Sequence, residues 1–178
     1  YMKIAVNTRL LIKNKLEGIG WYTYETFKRI TQEHPEHEFH FLFDRKPDKE
    51  FIFSSNIKPI VLHPQARHPL LWHLWFQFSV SRYLKNYGID LFISPDGFIP
   101  LRAKTPTIAV IHDINFHHHP EGLPLTSRYY YRKYFPKFAR RATRIVTVSE
   151  YSKNDIASSF NVDLSKIDVT LNGANTIF

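Results

Sequence analysis

The sequence predicts an α/β domain built as a doubly wound, mainly parallel sheet of about seven strands. Three observations carry that prediction. Short apolar runs rich in Val, Ile, Phe and Leu alternate with longer stretches in which apolar residues recur every three or four positions, the pattern of strand–helix–strand units. Several runs are apolar at consecutive positions, as in Ile108-Ala109-Val110-Ile111 and Ile145-Val146, which suits strands covered on both faces. No internal repeat, low-complexity tract or linker interrupts the alternation, and 178 residues fall within the usual size of one domain.

The elements follow in order. Lys3 to Asn7 reads as the first strand. A polar loop, Arg9 to Gly18, leads into a helix whose Ile19, Tyr22, Thr23, Thr26, Phe27 and Ile30 form one stripe, and Pro35 ends it. Phe39 to Phe43 and Ile57 to Leu62 are the next strands. Leu70 to Tyr87 is long enough for a helix that Gly88 stops. Its segment Leu70 to Phe78 is apolar almost all round, which implies burial between sheet and neighbouring helices more readily than docking on a membrane or another domain. Asp90 to Ser94 and Thr107 to Ile111 are strands of the buried kind. Ser127 to Ala142 is a helix with Tyr131, Tyr134, Phe135, Phe138 and Ala142 in one arc of about 100° and Lys133, Lys137, Arg140 and Arg141 in another. Pro136 inside it is expected to kink or divide it. Arg144 to Val148 is a strand, Ser149 to Phe160 a helix, and Ile167 to Leu171 the last strand.

Composition excludes several classes. There is no Cys, hence no disulfide framework, thiolate metal site or Cys nucleophile. No apolar run approaches the roughly 20 residues that span a bilayer, and Met2-Lys3-Ile4-Ala5-Val6 does not begin a signal peptide. A cytoplasmic protein is the expectation. The basic arc of the Ser127–Ala142 helix adds a second one, peripheral contact at the inner membrane face. Lys and Arg outnumber Asp and Glu by 24 to 16, a net charge of +8. No helix-turn-helix, zinc-finger or RNA-binding signature accompanies that charge, so nucleic acid is not an expected partner.

In doubly wound sheets, ligands bind outside the carboxyl ends of the strands. Attention therefore falls on Asn7-Thr8-Arg9 with its loop, Pro95-Asp96-Gly97, His112-Asp113, Ser149-Glu150 and Asn172-Gly173. Gly18-Ile19-Gly20 opens the first helix, where bare backbone and free N–H groups can meet a phosphate or a sugar hydroxyl. The dinucleotide fingerprint is not met, because the loop is too long and Thr23 holds the third glycine position. His112 can hydrogen-bond a substrate oxygen or act as acid or base, with Asp113 orienting it or capping the next segment. Local satisfaction by backbone is the equal alternative. Ser149 is a natural N-cap and can also contact a ligand. His117-His118-His119 raises a metal site, but adjacent His residues rarely converge on one centre. The chain has no Asp-x-Asp pair to clamp a metal–diphosphate.

The order of these motifs is similar to that of the retaining family-4 glycosyltransferases. Glu17-Gly18-Ile19-Gly20-Trp21-Tyr22-Thr23 resembles their glycine loop and first helix, and Ile111-His112-Asp113 their mid-chain strand end. Ala142-Thr143-Arg144-Ile145-Val146-Thr147-Val148-Ser149-Glu150-Tyr151-Ser152 through Ile156, and Lys166-Ile167-Asp168-Val169 through Asn172-Gly173, resemble two further segments. The resemblance implies the B-type fold, in which two Rossmann-like domains face across a cleft. This chain corresponds to the N-terminal, acceptor-side half. The donor-binding C-terminal domain is absent from it, and the chain alone is expected to be inactive. The resemblance also implies a nucleotide-sugar donor, a saccharide or lipid-linked acceptor, a role in polysaccharide biosynthesis, and no metal or other cofactor. Gly18, Gly20 and Ser149 would then lie on the donor side, with His112 and Asp113 catalytic. Two other readings stay open on the sequence. One is an NAD(P)-dependent oxidoreductase domain, with Asp44 holding a ribose. The other is a basic module for membrane or nucleic acid.

Overall fold

The computed structural model describes residues 1–171. The strand end at Asn172-Gly173 lies outside them. Strands β1 (Lys3–Asn7), β2 (Glu38–Phe43), β3 (Ile57–Val61), β4 (Leu91–Ser94), β5 (Thr107–Val110), β6 (Arg144–Thr147) and β7 (Ile167–Val169) form one sheet in the order β3-β2-β1-β4-β5-β6-β7. Every pairing is parallel. The doubly wound, Rossmann-like expectation is therefore met, and the last strand is two residues shorter than the sequence suggested.

The layers follow from strand alternation. One face carries Ile4, Val6, Phe39, Phe41, Phe43 and Ile57, on which α1 (Gly18–Glu33) lays Phe27. The opposite face carries Ala5, Phe92, Ala109, Ile145 and Ile167. It is covered by α2 (Pro69–Leu74) with its continuation α3 (Ser81–Asn86), by the short α4 (Asn115–His118), and by α5 (Leu125–Arg141) and α6 (Glu150–Phe160).

Right-handed crossovers explain the unequal distribution. From β1 the chain steps outward through β2 to β3, which puts α1 on one face. From β4 it steps the other way, which puts α5 and α6 on the opposite face. Beside α1, Ile93, Ile108 and Val146 of β4 to β6 are consequently only half-buried.

Two sequence expectations are corrected, and the one for Pro136 is narrowed. The Leu70–Tyr87 helix is helical from Pro69 to Asn86, but Trp75–Val80 is π-helical. The apolar segment Leu70–Phe78 buries Trp75 and Phe76 and leaves Leu70 and Phe78 exposed at 65% and 61%, so burial accounts for only one side of it. The Trp75 indole N–H donates to the Leu62 carbonyl at 3.0 Å and the Trp72 N–H to that of Ala66 at 3.0 Å. Pro136 does not divide α5. The carbonyl it leaves without a helical donor belongs to Arg132, an exposed residue where water can serve. Within α5, Arg140 and Arg141 are not a free basic face, because they bond the Phe160 and Ala103 carbonyls.

Candidate active site

The strand order reverses between β1 and β4, and the crevice outside their carboxyl ends is where the sheet geometry directs a ligand. The residues expected there do converge, but mainly on one another. Asn7 donates from Nδ2 to Ser94 Oγ at 3.1 Å and to Asp96 Oδ1 at 2.9 Å. Arg9 meets Asp96 at 2.8 Å, and its guanidinium lies over the rings of Phe98 and Phe76 at 4.9 and 5.5 Å. With side chains 10% and 5% exposed, the pair forms the floor of the crevice rather than an open ligand site.

The open surface is beside it. A cavity of about 940 Å³ starts between the first turn of α1 and the end of β5, with Gly18, Ile19, Tyr22, His112 and Asp113 on its walls. It continues down the half-covered sheet face past Ile93, Ile108 and Val146.

His112 is held in one orientation from two sides. Its Nε2 lies 3.0 Å from the Pro95 carbonyl, which can only accept, so Nε2 carries the proton and Nδ1 keeps its lone pair. The Tyr22 ring meets the imidazole edge-on at 4.7 Å and 89°. Burial pushes the His112 pKa below its ordinary value, against smaller upward contributions from the Pro95 carbonyl and the Asp113 and Asp96 carboxylates. The result is a neutral, oriented hydrogen-bond acceptor at the strand end. Asp113 is exposed, and its Oδ1 accepts from the Asn115 N–H at 2.9 Å, a cap for α4.

The two glycines differ. Gly18 opens α1 with empty space where a Cβ would stand, and Glu17 gives the helix no side-chain cap, so the first N–H groups remain available. Gly20 is buried. A Cβ there would lie 3.1 Å from the Leu10 carbonyl oxygen and 3.1 Å from Leu16 Cδ2, so its role is to seat the Arg9–Glu17 loop. The Lys13–Asp48 ion pair at 3.0 Å holds the outer part of that loop.

Ser149 caps α6, its Oγ accepting the Ser152 N–H at 3.1 Å, and it is not among the cavity walls. The three adjacent His do not converge: His118 pairs with Asp155 at 2.8 Å, His117 packs against Phe160, and His119 faces Glu121. Among the described residues, metal-ligating atoms gather within 4.8 Å only at His34, Glu36 and His37. That group lies at the surface past the far end of α1, away from the cavity. Asp44 is 1% exposed with both oxygens bonded to Arg45 or the Ala66 N–H, so it is not presented to a ribose.

Tyr22 is a cavity-wall residue that sequence reasoning did not single out, since it was read only as part of the first helix's stripe. The available signal was its position one turn beyond the Gly18 opening, on the side facing the β5 strand end.

Residues 16–178 match the sequence model of Glycosyltransferase Family 4. The chain belongs to that family. Two curated proteins are similar to it. The O-antigen chain mannosyltransferase RfbU of Salmonella typhimurium is 32% identical over 60% of this chain and 30% of its own length. The O-antigen chain mannosyltransferase B of Escherichia coli is 28% identical over 95% of this chain and 46% of its own. The chain thus spans less than half the length of these relatives. Among solved structures, Anabaena HepE in complex with UDP and glucose superposes with a TM-score of 0.60 at 15% identity, covering 98% of this chain and 45% of that one. A glycosyltransferase from Rickettsia africae gives 0.57 at 13% identity, covering 98% and 44%. Those likenesses are of fold. No helix among the described residues is long and apolar enough to cross a membrane.

Proposed function

We propose that this chain is the acceptor-side domain of a retaining glycosyltransferase that moves a sugar from a nucleotide donor to a saccharide or lipid-linked acceptor in polysaccharide biosynthesis. The observation that carries the reading is His112. In a member of this family, a neutral imidazole with a free Nδ1 stands across the cavity from the uncapped N-terminus of α1. The names of both curated relatives support mannose as the sugar transferred.

The chemistry assigned to these residues is positioning and electrostatic stabilisation. His112 Nδ1 accepts a hydrogen bond from a sugar hydroxyl and fixes the ring. The Gly18 end of α1 stabilises charge on the departing diphosphate through its N–H groups. Asp113 and Gly20 act through the loops they hold, and Ser149 through the α6 end. Front-face attack within an ion pair, which the family resemblance implies, requires no side-chain nucleophile. The reading assigns no metal to the transfer, in line with the lack of Asp-x-Asp. It includes a C-terminal donor-binding domain facing this one, a cytoplasmic location, and contact at the inner membrane face.

His112→Ala in the full-length protein tests it. Turnover with a nucleoside-diphosphate mannose is expected to fall about 100-fold or more with the fold intact. Near-normal turnover removes His112 from the site.

A further inference from the structure

The turn from α1 into β2 carries a group of side chains that the transfer chemistry does not use. His34 caps α1, Pro35 follows, and the His37 N–H donates back to the His34 carbonyl at 3.2 Å. Proline fixes φ at the second position of such a four-residue turn, and the first and fourth residues come side by side. Those residues are His34 and His37, and their rings stack at 5.9 Å and 12°. Glu36 reaches both: its Oε1 lies 3.3 Å from His34 Nδ1 and 3.6 Å from His37 Nε2. The turn is locked by its neighbour in the sheet. Asn56, one residue before β3, donates from Nδ2 to the carbonyls of Thr31, His34 and His37 at 3.0, 3.1 and 3.1 Å. Its own backbone carbonyl accepts the Phe39 N–H at 2.9 Å. The three side chains therefore project from backbone that is already ordered, so gathering them around a ligand costs little entropy.

Two imidazole nitrogens and one carboxylate oxygen are a donor set that suits zinc, whereas magnesium and calcium want oxygen alone. Zinc bonds of about 2.0–2.2 Å in a tetrahedron put neighbouring ligand atoms about 3.3–3.5 Å apart. The two distances to Glu36 Oε1 straddle that edge, and all three ligating atoms lie within 4.8 Å of one another. A carboxylate satisfied by hydrogen bonding needs one imidazole; two turned to the same oxygen fit a shared cation. The Glu36 backbone N–H and the two imidazoles hold its carboxyl below the ordinary carboxylate range, which keeps it anionic. His37 Nδ1 has no partner in the protein, so no neighbour imposes a tautomer and Nε2 can present its lone pair. His34 and Glu36 are exposed, so an ion enters directly from solvent and water completes its coordination.

We propose that His34 Nδ1, Glu36 Oε1 and His37 Nε2 form a zinc site that staples the end of α1 to the start of β2. The site lies at the amino ends of the strands, at the opposite end of α1 from the Gly18 opening. The ion therefore stabilises the fold and takes no part in sugar transfer, and the proposal is independent of the functional reading.

Isothermal titration of the chelator-treated chain with zinc chloride tests it, without any nucleotide sugar. Zinc is expected to bind, and excess magnesium chloride is not expected to displace it. His34→Ala and Glu36→Ala are each expected to weaken binding at least about tenfold. Both positions are exposed, and circular dichroism is expected to show both variants folded. His118→Ala/His119→Ala, in the other group of histidines, is expected to bind as the parent does. Thermal melts supply a second readout: zinc is expected to raise the Tm of the parent and to leave that of His34→Ala unchanged. Failure of the parent to bind zinc, or binding unchanged in both His34→Ala and Glu36→Ala, overturns the proposal. So does binding that is lost in His118→Ala/His119→Ala and kept in His34→Ala, which assigns the ion to the other histidines.

Discussion

Arg9 and Asp96 meet at 2.8 Å where the strand order reverses, joining the end of β1 to the loop after β4. Both side chains are almost wholly buried, and Asn7 shares the same carboxylate. A buried charge that loses its partner is strongly penalised, whereas an apolar pair of similar volume is tolerated. Arg9→Met is therefore expected to cost about 3–5 kcal/mol. Arg9→Met/Asp96→Leu is expected to recover a large part of that loss. Urea denaturation of the two variants measures the difference, and equal destabilisation would show that the pair does not act as a unit.

The two glycines of the α1 opening separate function from packing. Gly20→Ala drives a Cβ to 3.1 Å from the Leu10 carbonyl oxygen, so the Arg9–Glu17 loop must shift, at an expected cost of about 1–3 kcal/mol. Gly18→Ala meets nothing within 4 Å. Its stability is expected to change by no more than about 1 kcal/mol, while donor affinity falls because a methyl group now occupies the approach to the helix end. Thermal melts beside donor titrations distinguish the two effects.

Activity is expected to require neutral His112. Its pKa is lowered from the ordinary 6.5, so the acid limb of the pH–rate profile is expected below pH 6.5, with activity falling as pH drops through the depressed value. Tyr22 sets part of that environment through its edge-on ring. Tyr22→Ala is expected to move the acid limb upward as water reaches the imidazole, and Tyr22→Phe to restore it. A profile identical in all three proteins would exclude Tyr22 as a positioning residue.

At the opposite end of the sheet, Lys58 and then His40 hold the Glu38 carboxyl at about 2, below its ordinary 4.5. A folded-state value below the unfolded one stabilises the protein above about pH 4.5, and that contribution is lost as pH falls toward 2. Glu38→Gln is expected to lower Tm at pH 7 and to flatten the decline of Tm over that acid range. Melting curves from pH 7 to pH 2.5 measure both.

Much of the architecture could be read from residue order, because strand and helix periods differ and several strands are consecutively apolar. Ile108-Ala109-Val110 and Ile145-Val146 are such cases. His112 was also legible, since a polar residue directly after a buried strand falls where ligands bind. Other features depend on neighbours distant in sequence. The π-helical turns at Trp75–Val80 lie beside the Trp72 and Trp75 indoles, which reach the Ala66 and Leu62 carbonyls outside the helix. Tyr22 did not stand out from its stripe because spacing cannot tell a helix face that meets sheet from one that meets a crevice. The engagement of Arg140 and Arg141 by backbone carbonyls was hidden for the same reason: a helical wheel knows only its own helix.

The half-covered strip formed by Ile93, Ile108 and Val146 is a product of crossover handedness, so no substitution within α5 or α6 can shield it. With the exposed Leu70, Phe78 and Leu125 it adds to the apolar surface of the isolated polypeptide. A net charge of +8 keeps copies apart in dilute buffer. Added salt screens that repulsion and leaves the apolar strip as sticky as before. Concentrated stocks will therefore keep best at low ionic strength, the reverse of the usual remedy for a basic protein.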